Sequence, residues 1–191
     1  MRFSFGELVE LIWGLFMVCW CLPALFTKSH TERQEPLLSR LFYLVLLGLM
    51  ASLLVFSPKI YGPLLWKVWP EGMLSDLLGF GVMIFGFGFA IWARMHLGRY
   101  WSDRVSVVEN HRLIRSGPYR LVRNPIYTGF LMAVLGTAIM MVELRAILAL
   151  VLMLAAVLYK THQEEKLLGG QFPREYMEYK RKVKSLIPFV Y

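Results

Sequence analysis

Residues that could take part in chemistry concentrate in two places along the chain. The first is the stretch 111–129, His-Arg-Leu-Ile-Arg-Ser-Gly-Pro-Tyr-Arg-Leu-Val-Arg-Asn-Pro-Ile-Tyr-Thr-Gly, which is basic, rich in turn residues and leads into an apolar run over 126–142. The second is a polar group that follows another apolar run, namely Lys160, His162, Glu164 and Glu165. Because both groups adjoin segments long enough to enter a bilayer, we hypothesise a polar site at a membrane face.

The start of the run over 126–142 has the features of a helix N-terminus. Gly117-Pro118 is a turn signal, and Asn124-Pro125 is typical of an N-cap followed by proline in the first helical position. The free amides and the positive dipole end of such a helix favour a carboxylate or a phosphate. We expect this helix end to face the site.

A short turn predicts that the two polar groups meet. Glu143-Leu-Arg145 separates the run over 126–142 from the run over 146–159, so the two helices should form an antiparallel hairpin. Lys160 and Glu164 would then approach the segment 123–127, one helical turn apart on one face. A local ion pair between these two residues is the alternative, although lysine before glutamate is the poorer orientation for such a pair.

No metal site is expected. Histidines at positions 30, 96, 111 and 162 lack the spacing of metal ligands, although His162 and Glu165 are three residues apart. Cys19 and Cys21 lie in the first apolar run, where neither a disulfide nor metal binding has support from spacing or partners.

Membrane helices must position these groups. Hydrophobic residues make up 57% of the 191 residues and charged residues 18%, which is too apolar for an ordinary soluble domain. Five apolar runs, near or just below the ~20 residues that cross a bilayer core, lie at 8–26, 41–56, 77–93, 126–142 and 146–159. The composition predicts an all-α polytopic membrane protein with about five transmembrane helices.

The distribution of basic residues predicts the orientation. Of the 21 Lys and Arg residues, 17 fall after the first and third runs and in the C-terminal tail, which share one side of a five-helix arrangement. Because Lys and Arg are retained on the cytoplasmic side, we place residues 94–125 and the tail in the cytoplasm. The net charge of +8 then indicates contact with anionic membrane lipid, and nucleic-acid binding is the weaker interpretation.

Glycines mark the third apolar run. Gly79 and Gly86 are seven residues apart, as are Gly81 and Gly88. We favour close helix packing as the explanation, with backbone access for a ligand as the alternative. The first run is expected to remain as a helix, because Arg2 is the only early positive charge and no small-residue cleavage site follows Phe26. The tail over 172–191 could lie on the membrane or cap the site.

Several linked motifs occur in order in the C-terminal half. They are His111-x-Leu-Ile-x-Ser-Gly-Pro-Tyr119, Arg123-Asn-Pro-x-Tyr-x-Gly129, Glu164-Glu165, Glu175-Tyr-x-x-Tyr179 and Ile187-Pro-Phe189. The pattern resembles the isoprenylcysteine carboxyl methyltransferase family and is similar to the related phospholipid N-methyltransferases. It covers about residues 92–190, and divides the chain into N-terminal helices with an outer loop, 1–73, and a methyltransferase core, 74–191.

The resemblance implies a membrane-embedded methyltransferase that uses S-adenosylmethionine, with a cytoplasmic cofactor pocket formed by the C-terminal half. Carried over by position, the residues lining the cofactor would be His111, Arg112, Leu113, Ile114, Tyr119, Asn124, Pro125, Ile126, Tyr127 and Glu164. Lys160 stands in the place of the family's arginine that binds the acceptor carboxylate, and asparagine stands at 124 where the family often has histidine. Lysine supplies a point charge in place of a planar fork.

The residue chemistry agrees with that implication. A sulfonium and a carboxylate call for an acidic side chain, a helix N-terminus and a basic neighbour, which Glu164, the Asn124 end and Arg123 supply. The residues expected to act on the acceptor are Lys160, Glu165 and Arg123. A carboxylate acceptor needs no general base, whereas an amine acceptor must lose a proton and makes Glu165 the candidate base.

The acceptor is expected to be a lipophilic small molecule or a prenylated substrate, most simply an isoprenylcysteine-type carboxylate, that enters from the bilayer. Phospholipid or small-thiol methylation stays open. A sterol-type reductase that uses NADPH and a non-enzymatic module that binds anionic lipid are the competing classes. Neither the methyl acceptor nor the oligomeric state follows from the sequence.

Overall fold

The fold consists of long helices joined by short connections. The computed structural model describes residues 5–26, 31–34, 37–55, 62–98, 106–108 and 113–190. In chain order the elements are α1 (Phe5–Phe26), β1 (Thr31–Gln34), α2 (Leu37–Val55), α3 (Met73–Leu97), β2 (Ser106–Val108), α4 (Pro125–Met141), α5 (Leu144–Gln171) and α6 (Pro173–Lys182). Short 3-10 turns lie at Gly62–Leu65 and Gly117–Arg120. The helical architecture agrees with the predicted class, while the two strands and α6 are additions to the predicted elements.

Helices α3 and α4 cross with their backbones in direct contact, through two glycines on each helix. A Cβ atom added to Gly79 would lie 2.6 Å from the carbonyl oxygen of Gly136, and one added to Gly86 would lie 2.6 Å from that of Gly129. These distances are far inside van der Waals contact, so only glycine permits this approach. The packing role favoured for the glycines of the third run is confirmed for Gly79 and Gly86.

The other two glycines of α3 lie on the outward face. Gly81 and Gly88 are exposed, and no described atom comes within 4 Å of a Cβ built on either residue. Residues two positions apart in a helix point roughly 200° apart, which explains why one pair packs and the other does not.

Helix α1 covers the α3–α4 pair through an aromatic core. The rings of Phe16 and Phe87 stack with centroids 4.1 Å apart, and Trp13 meets Phe87 edge-on at 4.8 Å. The Trp13 indole Nε1 donates a hydrogen bond of 3.0 Å to Oγ1 of Thr137 on α4. The indole N–H therefore finds a partner inside an apolar core, as a buried tryptophan requires.

Helix α2 packs against α5 in a second core. Met50 and Leu53 of α2 are buried with Met153 and Val157 of α5. Arg145, at the start of α5, donates to the backbone carbonyl oxygen of Leu53 at 3.3 Å. The end of α2 is thereby tied to the end of α5 that carries the hairpin turn.

The predicted α4–α5 hairpin is confirmed. Helix α4 ends at Met141 and α5 begins at Leu144, with Val142 in the left-handed region at a φ of 52°. The segment between α2 and α3 contacts this turn, since the amide of Val68 donates to the Val142 carbonyl at 2.8 Å and the amide of Leu144 donates to the Trp66 carbonyl at 3.0 Å. The hairpin returns the chain to the end at which α4 begins.

Helices α3 and α5 have the length and composition of membrane spans. The segments Met73–Leu97 and Leu144–Gly170 both have a mean hydropathy of 1.9 over an 18-residue window. Large apolar side chains on their outward faces are exposed, for example Phe85 and Val151. Lipid is the medium that suits such surfaces. The predicted total of five spans stays a prediction, to which α1 and α2 contribute helices of 22 and 19 residues.

Three polar segments meet at one end of the helices. Strand β1, which follows α1, pairs antiparallel with β2, which follows α3. Val122 forms a parallel bridge to Lys184 in the C-terminal tail. The segments after α1, α3 and α5 therefore share one side, as the charge distribution predicted, and the assignment of that side to the cytoplasm stays a prediction.

Candidate functional site

The approach to α4 is anchored on the last turn of α3. Gly117 has a φ of 58°, and a Cβ there would lie 2.7 Å from Cε1 of His96. The His96 Nε2 atom is 2.8 Å from Oγ of Ser116. This contact holds the 3-10 turn against α3, and it buries Pro118 and Tyr119 below the surface. The Gly-Pro turn signal thus corresponds to a positioned turn with a buried aromatic ring.

Asn124 and Pro125 occupy the predicted N-cap and first-turn positions of α4. Within the part of the chain that the structure describes, the Asn124 side chain makes no capping hydrogen bond to the helix. Its Nδ2 atom donates to Oγ of Ser185 at 3.0 Å, and its backbone amide donates to the Ser185 carbonyl at 3.0 Å. Asn124 is therefore bound to the tail through donors that a local cap does not use.

A hydrogen bond joins α4 to α5 within the polar end. The Tyr127 hydroxyl donates to Oε1 of Glu164 at 2.6 Å, across 37 positions of sequence. A donor to a carboxylate makes a stronger hydrogen bond than a neutral pair, and it fixes the carboxylate orientation. The structure therefore brings together Tyr127 and Glu164, two of the residues expected to line the cofactor.

Tyr119 adjoins the same carboxylate. Burial, and then the charge of Glu164, raise the pKa of the Tyr119 phenol above the ordinary value. The Tyr179 hydroxyl of α6 donates to the backbone carbonyl of Tyr119 and holds its main chain. The phenol stays protonated at neutral pH.

Arg123 and Glu165 form a buried ion pair beside these residues. The Arg123 Nη2 atom lies 2.6 Å from Oε1 of Glu165, and the two side chains are only 7% and 14% exposed. Nε of Arg123 also donates to Oε1 at 3.1 Å. Lys180 Nζ donates to Oε2 at 3.0 Å from α6. Two residues that were expected to act on the acceptor are thus bound to each other.

Lys160 lies one helical turn before Glu164 on α5. Its side chain is buried, with 7% exposure, and the neighbouring Thr161 is also buried. Buried charges are normally paired or hydrogen-bonded, and Lys160 interacts with another group of the protein.

The structure describes only some of the remaining residues that were expected to line the cofactor. Leu113, Ile114 and Ile126 are half-buried and Pro125 is fully buried, on the approach to α4 or in its first turn. His111 and Arg112 lie outside the described residues. Among those residues, no three His, Cys, Asp or Glu side chains lie close enough together to hold a metal ion.

Sequence reasoning did not identify the tail residues that close this end. Val183, Lys184 and Ser185 contact the start of α4 through main-chain carbonyl oxygens. Main-chain contacts leave no signature in residue type. The only hint was the suggestion that the tail could cap the site.

The arrangement suits a ligand with both signs of charge. Glu164, oriented by Tyr127, can stabilise a cationic centre, and the buried ammonium of Lys160 can hold a carboxylate. The apolar faces of α3 and α5 adjoin this end and can accept a hydrocarbon chain. Transfer of a group from a cationic small molecule to a lipophilic carboxylate fits this chemistry.

Comparison with known proteins matches the same region. Residues 77–169 match the isoprenylcysteine carboxyl methyltransferase family. A probable protein-S-isoprenylcysteine O-methyltransferase of Oryza sativa subsp. indica is 40% identical over 88 residues, which is 46% of each chain. Protein-S-isoprenylcysteine O-methyltransferase B of Arabidopsis thaliana is 33% identical over 96 residues, 49% of each chain. The chain thus spans about half the length of these curated relatives.

A third relative aligns over more of the chain. The cobalt-zinc-cadmium resistance protein CzcN of Cupriavidus metallidurans is 30% identical over 137 residues, 70% of this chain and 58% of that protein. An alignment of that extent is longer than the region 74–191, so it extends into the region 1–73. The matched segment 77–169 contains Tyr119, Arg123, Tyr127, Lys160 and Glu164, whereas the tail contacts lie beyond it.

Proposed function

We propose that the chain, whose residues 77–169 match the isoprenylcysteine carboxyl methyltransferase family, is an integral membrane methyltransferase. It moves a methyl group from S-adenosylmethionine to the carboxylate of a lipophilic, isoprenylcysteine-type acceptor. The observation that carries the proposal is the hydrogen bond from Tyr127 to Glu164, which unites two separate family motifs at one helix end.

The residues present fit S-adenosylmethionine. Its sulfonium requires a nearby negative charge, which Glu164 supplies while Tyr127 fixes its orientation. Tyr119 adds a protonated phenol beside the same carboxylate. The cofactor supplies, when bound, a methyl group on a positively charged sulfur. The chain's own contribution is to hold that charge in a site from which water is largely excluded.

Lys160 is proposed to bind the acceptor carboxylate. It is buried on α5 one turn from Glu164, so an acceptor held there lies beside the cofactor residues. A carboxylate oxygen is already nucleophilic, so no proton has to leave and positioning dominates the rate. Well-aligned reactants are worth about 7–11 kcal/mol of the barrier.

The membrane arrangement follows from the same proposal. Five helices span the bilayer, and the end that carries Tyr127 and Glu164 faces the cytoplasm. The prenyl chain lies along the exposed apolar faces near α3 and α5, and its carboxylate reaches the polar end. The concentration of basic residues on that side supports the orientation.

The first test is isothermal titration of S-adenosylmethionine and of NADPH into the detergent-purified protein, with Glu164→Ala and Glu71→Gln alongside. Glu71 forms an exposed ion pair with Lys67 at 2.8 Å, away from the site, and serves as the control. Saturable S-adenosylmethionine binding that Glu164→Ala loses and Glu71→Gln keeps is the expected result. Binding of NADPH alone would move the protein to the reductase class, and binding of neither would favour a lipid-binding module.

An acceptor screen completes the test. Prenylcysteine, phosphatidylethanolamine and a small thiol are supplied with radiolabelled S-adenosylmethionine. Label in a base-labile ester on prenylcysteine is expected. Label on phosphatidylethanolamine or on the thiol would replace the acceptor assignment and leave the methyltransferase class intact.

A further inference from the structure

The C-terminal tail forms a strap across the start of α4. We call residues Val183–Leu186 the tail strap. The amide of Arg123 donates to the Lys184 carbonyl at 2.8 Å, and the amide of Asn124 donates to the Ser185 carbonyl at 3.0 Å. Val122 and Lys184 continue this pairing as a parallel β-bridge. The strap therefore binds the two backbone amides that immediately precede α4.

The tail strap also contacts the first turn of α4. The Thr128 hydroxyl donates to the Leu186 carbonyl at 2.8 Å, and Leu186 is itself buried at 2% exposure. Leu186 packs in the core that includes Val134, Ala149 and Met153. The strap is thus fixed at both ends, by main-chain hydrogen bonds and by a buried side chain.

One ion pair ties the strap to both helices of the hairpin. Arg123 donates to the Val183 carbonyl and to Oε1 of Glu165, while Ser185 Oγ lies 3.3 Å from the same oxygen. Lys180 donates to the second oxygen, Oε2, at 3.0 Å. Both carboxylate oxygens of Glu165 are consequently engaged by groups of the protein itself.

Glu164 and Glu165 point to different partners. Consecutive residues on a helix are turned by about 100°, so Glu164 can reach Tyr127 while Glu165 reaches Arg123. Arg123 in turn lies four residues before Tyr127 at the start of α4. The Arg123–Glu165 pair is therefore one residue away from the Tyr127–Glu164 pair on α5, and Arg123 lies two residues before α4 begins. A change in the separation of these two segments would alter both contacts.

We propose that Arg123 and Glu165 are positioning residues that clamp the tail strap over the start of α4 and so set the Tyr127–Glu164 contact. This inference rests on the proposed function for its kinetic consequences. Neither side chain contacts the acceptor, and Glu165 does not remove a proton. As a base, Glu165 would have to give up charge-assisted bonds to Arg123 and Lys180 that compensate its burial.

The test compares Arg123→Gln, Glu165→Gln and the double variant with the wild-type protein. Hydrogen exchange is measured at the amides of Arg123 and Asn124, which donate to the strap. Affinity for S-adenosylmethionine and the rate of prenylcysteine methylation are measured on the same samples. Each single variant removes the charge-assisted bonds between Arg123 and Glu165, so exchange at these amides should speed up by on the order of tenfold or more.

The clamp also predicts the pattern among the variants. Each single change should weaken cofactor affinity by about tenfold. The double variant should be no worse than the poorer single variant, because each change removes the same interaction between Arg123 and Glu165. Arg123→Lys, which keeps the charge and loses the planar fork, should recover part of the protection and part of the affinity.

A matched control separates positioning from general destabilisation. Glu143 and Arg145 form a similar buried pair, with side chains 19% and 9% exposed, at the opposite end of the α4–α5 hairpin. Glu143→Gln should lower the melting temperature and leave both the amide exchange at Arg123 and the cofactor affinity unchanged. Loss of affinity in Glu143→Gln equal to that in Glu165→Gln would overturn a specific positioning role.

Two further outcomes are decisive. If Glu165→Gln abolishes turnover while amide exchange and cofactor affinity stay at wild-type values, Glu165 is a base and the clamp is rejected. The exchange readout does not require a ligand. A wild-type protein that binds no S-adenosylmethionine therefore overturns the proposed function alone, whereas amides that stay protected in both single variants overturn the clamp.

Discussion

The Tyr127 hydroxyl lies 2.6 Å from Oε1 of Glu164 and connects the first turn of α4 to the last third of α5. Tyr127→Phe removes this donor and keeps the ring, so the carboxylate loses its fixed orientation. We expect affinity for S-adenosylmethionine to fall about tenfold, since a hydrogen bond to a charged group is worth roughly 1.5–3 kcal/mol. The measurement is calorimetric titration of the cofactor.

Tyr159→Phe is the matched control for that variant. Tyr159 is half-buried on α5, and its ring meets Phe42 at 4.9 Å on the opposite packing partner α2. Loss of the Tyr159 hydroxyl should leave affinity for S-adenosylmethionine at the wild-type value. Equal weakening in both variants would show that the Tyr127 contact has no specific role in binding.

Lys160 should affect binding of the acceptor and not binding of the cofactor. Lys160→Met removes the charge from a buried position, so we expect the KM for a prenylcysteine to rise at least tenfold while affinity for S-adenosylmethionine is retained. Lys160→Arg keeps the charge and adds a planar fork that matches a carboxylate, so it should restore the KM. Steady-state methylation kinetics at saturating cofactor make the comparison. An unchanged KM in Lys160→Met would remove Lys160 from the acceptor site.

The α3–α4 contact should tolerate no side chain at its crossing points. Gly136→Ala would place a methyl group 2.4 Å from the Gly79 carbonyl oxygen and from the Met83 amide nitrogen, so the helices must separate. Overpacking of this kind costs about 1–3 kcal/mol, and the melting temperature in detergent should fall. Gly81→Ala adds the same methyl group on the exposed face of α3 and should leave stability unchanged or slightly higher. Similar melting temperatures for the two variants would contradict the packing.

Tyr179 should make stability depend on alkaline pH. Burial is the main cause that raises the pKa of this phenol above its ordinary 10.0, so the protonated form is favoured in the folded protein. A raised folded pKa means that this stabilisation is complete below pH 10 and is lost as the pH rises from there toward the folded pKa. Tyr179→Phe also loses the donor to the Tyr119 carbonyl, at about 1 kcal/mol.

Thermal unfolding between pH 8 and about pH 11 checks this dependence. The difference between wild type and Tyr179→Phe should be constant at the lower end and shrink above pH 10. A difference that grows with rising pH would show that the phenol ionises more readily in the folded state, against the effect of burial.

Local pattern and composition were sufficient for the main helices. Apolar runs predicted the main helices, the three-residue link Glu143-Leu-Arg145 predicted the hairpin, and Asn124-Pro125 marked the beginning of α4. Each of these features depends on residues close together in the chain, where periodicity and backbone restriction act directly. The motifs that resemble the family also predicted that Tyr127 and Glu164 would share one site.

The partners of the charged residues depended on the tertiary structure. Arg123 and Glu165 were both expected to act on the acceptor, yet they bind each other and hold the tail strap. Asn124 occupies the N-cap position, yet its side chain contacts Ser185, which is 61 residues away. The sequence by itself determined the approximate positions of the helices, to within about four residues at their starts, and that the polar groups around 123–127 and 160–165 lie at one end. Which of these residues pair with one another was decided by the packing, because main-chain carbonyl oxygens of the tail and the rotation of adjacent residues on α5 leave no mark in residue type.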